Sequence, residues 1–231
     1  MKWIKRLVLL LILIVCGIGA VVTWQGYRQY QNALAQLPLE EAVEDLRTQL
    51  HFVTADQIPD VYRKAVVAVE DRRFYQHKGF DIIGTARAIF TDLKEKKLLQ
   101  GGSTLTQQLA KNMYFPMDDT PQRKAAEIFM ALDMERKYSK QEILELYVNG
   151  IYYGSGYYNL YDASVGYFGK EPWDMTDEEC TLLAGIPNAP SVYSLDVNPD
   201  LARQRQAQVV SAMVDCGYLL KSQAEELLEN R

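Results

Sequence analysis

Cysteine and histidine are scarce in this 231-residue chain, with three of the first and two of the second. Cys16, Cys180 and Cys216 are scattered, which excludes both a disulfide framework and a zinc scaffold of the C-x-x-C type. Apolar–polar alternation of the strand kind is nearly absent, and there is no internal repeat and no low-complexity tract. Neither S-x-x-K nor K-T-G occurs, so the sequence holds no penicillin-type transpeptidase motif. The net charge of −5 argues against a general nucleic-acid binder. Hydrophobic residues at 48% and charged residues at 24% are those of a chain that folds around a core.

Charge is also missing between Arg6 and Arg28. Residues 7–22, LVLLLILIVCGIGAVV, carry no polar side chain beyond a cysteine, and residues 3–24 supply the roughly 20 positions a spanning helix needs. Trp3 and Trp24 stand where interfacial anchors stand, and Lys2, Lys5 and Arg6 place the N-terminus in the cytoplasm. The small residues at 17–20 make only a weak cleavage site behind a run longer than a usual signal core, so an anchor is the better reading. The expected organisation is a cytoplasmic N-terminus over 1–6, a transmembrane helix over 7–24, a juxtamembrane stalk over 25–54 and an exported domain over 55–231.

That domain reads as helix after helix, so the fold class is mainly α. Pro59 opens a helix in which Val61, Ala65, Val66 and Val69 repeat at helical spacing. Asp81 can cap the segment that follows it, Thr120-Pro121 opens a helix running to about Tyr138, and Asn198-Pro199 opens another that Gly217 follows. Ser139–Glu142, Thr176–Glu179 and Ser222–Glu225 each fit a capping box.

Positive charge gathers where the motifs lie. Residues 63–140 hold 15 basic and 10 acidic side chains, a local excess of +5 on an acidic protein, which suits an anionic substrate. The first motif, EDRRFYQHKG over 70–79, sets a carboxylate pair at the end of an apolar helix, where burial of Glu70 would raise its pKa towards that of a useful base. Taken alone it reads better as a solvated, ion-paired helix end. The second, GGSTLTQQLAKN over 101–112, frees the backbone with two glycines, offers Ser103 or Thr104 as cap, and puts Thr104, Gln107, Gln108 and Lys111 three or four apart on one polar face. It is not a Walker loop, because the spacing fails. In the third, RKAAE over 123–127, Arg123 and Glu127 are one turn apart, as in an ordinary helix ion pair. The fourth runs from Arg136 through EILELYVN, with Glu145 and Asn149 four apart, and a tyrosine- and glycine-rich stretch follows over 151–169.

Together, and in this order, these blocks resemble the glycosyltransferase domain of peptidoglycan polymerases, glycosyltransferase family 51. YFGK and TLLAGIPNAPS resemble its closing segment, so the likeness covers roughly residues 55–195. Asn159 stands where the family usually has glycine, and its tolerance of left-handed geometry is the expected reason it is accepted.

The resemblance implies a lysozyme-like helical core with a smaller mobile jaw. It implies a substrate, undecaprenyl-pyrophosphoryl disaccharide-pentapeptide (lipid II), together with the lipid-linked growing glycan, at a membrane and beside other cell-wall synthesis proteins. Glu70 is then the general base, and Glu127 the second catalytic carboxylate. Lys111 and Arg123 hold the departing pyrophosphate. Ser103, Thr104, Gln107, Gln108, Asn112, Lys124, Lys140, Glu145 and Asn149 contact substrate, while Asp71, Phe74 and His77 shape the first motif. No cofactor is required, although Mg2+ or another divalent ion on the pyrophosphate has a place near Glu127. Phe90, Leu93, Leu98, Leu99, Met113, Tyr114 and Phe115 are the residues expected to dip into the bilayer. A lysozyme-like lytic enzyme and an inactive membrane scaffold are the rival readings. Neither has a use for the cations at 111 and 123.

Overall fold

The computed structural model describes residues 2–95, 102–115 and 120–229, apart from the side chains of 89–95. Among them stand twelve α-helices and no strand. They are α1 (Lys2–Gln36), α2 (Leu39–Arg47), α3 (Asp60–Glu70), α4 (Ile82–Glu95), α5 (Leu105–Tyr114), α6 (Pro121–Lys137), α7 (Lys140–Gly150), α8 (Leu160–Phe168), α9 (Asp177–Gly185), α10 (Pro190–Tyr193), α11 (Pro199–Asp215) and α12 (Lys221–Glu229).

The core forms where apolar stripes meet. Tyr62, Ala65 and Val66 of α3 are buried against α9 and α11. Leu105 and Leu109 of α5 are buried against α6 and α7, each side chain contributing about 1.5–3 kcal/mol by leaving water. The hydroxyls of Tyr62 and Tyr153 meet at 2.7 Å inside this core, so two large rings are buried without an orphaned polar atom.

Caps fix the helix starts. Thr104, Ser139 and Thr176 each form a complete capping box with Gln107, Glu142 and Glu179. Thr120 caps α6 with Pro121 at its first position. Ser222 caps nothing. Its helix starts two residues earlier, because the Leu220 N–H donates to Gln223 Oε1 at 2.8 Å and Gln223 takes the third position. Pro59 sits one residue outside α3, at the cap position. Asn159 is not left-handed. Its backbone is extended (φ −151°), its Oδ1 accepts from the Asp162 N–H at 2.7 Å, and so it caps α8. The left-handed positions lie just before it, at Gly154, Ser155 and Gly156.

The stretch expected to be a stalk is part of the folded unit. Leu39, Ala42, Val43 and Leu46 put one face of α2 in the core, and Val53 and Ile58 follow. The apolar first half of α1 is exposed and long enough to cross a membrane. Its second half lies on α6, where Gly26 is buried.

Candidate active site

Glu70 is the last residue of α3, and its side chain is only 7% exposed. Gln108 Nε2 on α5 donates to its Oε2 at 2.9 Å. The Arg205 guanidinium on α11 reaches Oε1 at 3.5 Å. Gln108 is in turn held through its own Oε1 by the buried Tyr147 hydroxyl at 3.3 Å. Burial pushes the Glu70 pKa above the ordinary carboxylate value. The Gln108 hydrogen bond and the Arg205 charge pull against that rise, and the neighbouring Asp71 charge adds to it.

Asp71 and His77 build the frame beside it. Asp71 Oδ2 accepts from the Leu105 N–H at 3.0 Å and faces His77 Nε2 at 2.9 Å, which ties the end of α3 to the start of α5. Thr104 Oγ1 donates to the Gly79 carbonyl at 2.7 Å while accepting from Gln107. Gly79 has a φ of +86°, and a Cβ there would lie 2.8 Å from the Ala131 carbonyl oxygen, so only glycine lets this loop rest on α6. Phe74 is fully buried beneath Lys140, whose Nζ sits 4.3 Å from the ring centre.

A cleft of about 300 Å³ opens between these parts, with Glu70, Arg72, Arg87, Ser103 and Thr104 among its walls. Glu127, on α6, is not one of them. Its side chain is 2% exposed, with Arg123 Nε at 3.1 Å and Lys124 Nζ at 2.9 Å. Lys124 also donates to Ser103 Oγ, so the third motif reaches the cleft through one lysine. Lys111 is exposed on α5, one turn beyond Gln108 on the same side. Glu127 thus acts first as the counter-charge of two cations. No cluster of three His, Cys, Asp or Glu side chains able to hold a metal occurs among the described residues.

Several of the expected substrate contacts also have partners within the fold. Gln107 is buried in its capping box. Lys140 pairs with Glu135 at 2.6 Å as well as covering Phe74. Glu145 accepts from the Ala55 N–H at 2.8 Å and pairs with Arg47 at 3.5 Å. Asn149, 2% exposed, exchanges two 2.8 Å hydrogen bonds with the Val53 backbone. These two residues bind the 53–55 segment to α7. Asn112 lines a different cleft of about 270 Å³, with Met113 and Tyr158. Phe115 is in the core, and the partly buried Met113 and Tyr114 pack on it. The side chains of Phe90 and Leu93, and the residues Leu98 and Leu99, lie outside what the structure describes.

Arg205 and Arg87 stand in no motif quoted above. Arg205 is 135 residues from the carboxylate it meets. The one available signal is a glycine: a Cβ on Gly185 would come 2.8 Å from Arg205 Cγ, so the glycine of TLLAGIP makes room for that side chain.

The family model described as transglycosylase matches residues 38–214. Over 172 residues the chain is 43% identical to penicillin-binding protein 1F of Bacillus subtilis, which covers 74% of this chain and 24% of that protein. It is 36% identical over 247 residues to penicillin-binding protein 1A of Escherichia coli, covering 98% of this chain and 28% of the relative. With a Cupriavidus necator protein named "Putative transglycosylase" it shares 42% identity over 193 residues, 84% of this chain and 83% of that one. The chain thus spans about a quarter of the penicillin-binding proteins it matches and most of the Cupriavidus protein.

Proposed function

This chain belongs to the transglycosylase family, and on that premise we propose that it polymerises lipid II into β-1,4-linked glycan by inverting displacement of undecaprenyl pyrophosphate. The observation that carries the reading is Glu70: a nearly buried carboxylate with a raised pKa, held on two sides, at the wall of a cleft with cationic residues around it.

In this reading Glu70 takes the proton from the 4-hydroxyl of the acceptor sugar. That oxygen bonds to the anomeric carbon of the donor as the carbon–oxygen bond to pyrophosphate breaks. The α-linked donor becomes a β-linked product because attack and departure are on opposite faces, and carboxyls working so are about 6.5–9.5 Å apart in inverting glycosidases. Lys111, Arg123 and Lys124 receive the charge that builds on the leaving pyrophosphate, with Arg87 on the cleft wall as a further cation. Glu127 sets the geometry of Arg123 and Lys124. Ser103 and Thr104 border the sugar and phosphate positions. Any divalent ion enters with the pyrophosphate, as part of the substrate. The apolar half of α1 anchors the chain with its N-terminus in the cytoplasm and its domain on the extracytoplasmic face.

Labelled lipid II incubated with the full chain, with and without Mg2+, tests this. Long, lysozyme-sensitive polymer is expected, and the loss for Glu70→Gln is about 10²–10⁴-fold, the usual contribution of a general base, while lipid II binding persists. Equal polymer from Glu70→Gln overturns the assignment. Cleavage of preformed glycan would support the lytic reading, and binding without any turnover the scaffold.

A further inference from the structure

The seam between α1 and α6 does more than attach a tether. α6 has two working faces. Arg123, Lys124 and Glu127 lie on one, and Gln122, Ala125, Ala126 and Phe129 meet α1 on the other. The approach is close at Gly26, where a Cβ would lie 2.5 Å from Ala125 Cβ and 2.7 Å from the Gln122 carbonyl oxygen. Around it, Gln122 Nε2 donates to Gln25 Oε1 at 2.9 Å, and Phe129 packs edge-on to Tyr27 at 5.3 Å and against Tyr30 at 6.0 Å. Contacts advance together along both helices, 25 with 122, 26 with 125, 30 with 129. The helices therefore run the same way, and the N-terminal end of α6 points towards the apolar half of α1.

Depth follows from helix geometry. α1 is unbroken from Lys2 to Gln36. Gly26 is four residues past Val22, the end of the apolar run, hence about 6 Å beyond it at 1.5 Å per residue. The headgroup layer on each side of the hydrocarbon is about 5–8 Å thick. With the apolar run of α1 set across a bilayer along its normal, the seam starts within that layer and Arg123 and Lys124, at the first turn of α6, come to the depth of lipid phosphates.

We infer that α1 is a rigid strut that holds the Arg123–Lys124–Glu127 cluster at headgroup depth, with Gly26 as the positioning residue of the seam. The inference rests on reading the apolar half of α1 as a membrane anchor and deepens the proposed function. It gives the pyrophosphate of a membrane-embedded donor a clamp already at its own height.

The test uses the full chain in lipid vesicles, and a variant with Gly-Ser-Gly-Ser inserted between Thr23 and Trp24. The insertion leaves the seam intact and uncouples it from the span. Each is assayed on lipid II embedded in the same vesicles and on a water-soluble, short-chain lipid II analogue. Turnover of the embedded substrate is expected to fall about tenfold or more, as misplacement far from the chemistry does, with the soluble substrate within about twofold. Gly26→Leu, which forces the seam apart, should show the same split, while Gly19→Leu, with nothing within 4 Å of its Cβ, should not. Retention of both activities, or their equal loss, overturns the strut. A readout independent of activity is a spin label on the exposed position 121 (Pro121→Cys, with Cys16, Cys180 and Cys216 replaced by alanine). It should report headgroup depth in the parent and shift towards water in the insertion variant. A label in bulk water in both overturns the strut even if the enzyme makes no polymer. Headgroup depth without polymer would leave the strut standing and reject the proposed chemistry.

Discussion

A base inside a protein must be desolvated enough to want a proton and held well enough to take the right one. Glu70 meets the first condition by burial and the second through Gln108 and Arg205. These demands oppose each other, since each holding contact also stabilises the ionised form. In the proposed reaction Arg205 is therefore a positioning residue whose removal has a definite sign. The base is active when ionised, so the rate falls as pH drops through the Glu70 pKa. Without the Arg205 charge that pKa rises further above the ordinary carboxylate range. In Arg205→Gln the acidic limb of the kcat/KM profile should move to higher pH, with kcat at its alkaline plateau reduced less than at neutral pH. A limb that stays put, or moves to lower pH, would show that Arg205 does not act through Glu70.

At the scale of elements, the division between chemistry and scaffolding runs through the motifs themselves. The fourth motif is an example. Glu145 and Asn149 are one turn apart on α7, as the spacing predicts, but both turn towards the 53–55 segment. Their spacing was legible in the sequence and their partner was not, because backbone acceptors and donors carry no side-chain signature. Capping boxes were legible for the opposite reason: cap and partner are three residues apart in one string. Ser222 shows the limit, since Gln223 rather than Glu225 takes the third position and the helix starts two residues earlier. Asn149→Ala would strand the Val53 N–H and carbonyl in a buried place, at a cost of about 2–4 kcal/mol. Chemical denaturation should show that loss, and the KM for lipid II of the folded variant should match the parent. A raised KM with unchanged stability would return Asn149 to the substrate site.

At the scale of the whole molecule, the transglycosylase blocks and the long apolar run could be read directly, and the stretch between them was misread. Leu39, Ala42, Val43 and Leu46 have the i, i+3, i+4, i+7 spacing of a buried helix face. The many charges around them nevertheless gave the stretch the look of a stalk. Gly26 offered no signal at all, because a glycine that admits a neighbouring helix looks like any other. Arg205 failed for want of locality. The structural boundary that results is different from the expected one: the folded unit includes the second half of α1. Two truncations separate the alternatives. Removing residues 1–22 takes away side chains that are exposed from 2 to 21, with only Val22 half-buried, and leaves Gly26, Tyr30, Ala33 and Leu34 on the domain. Removing residues 1–36 uncovers Phe129 and Ala126 and strips those packed residues from the core. Losing two such side chains costs about 3–6 kcal/mol, which at about 2–4 °C per kcal/mol for a domain of this size lowers Tm by about 6–24 °C. The shorter truncation should melt with the parent domain and the longer one well below it. Equal melting of the two would mean that residues 25–36 are a tether after all, and it would remove the seam on which the strut depends.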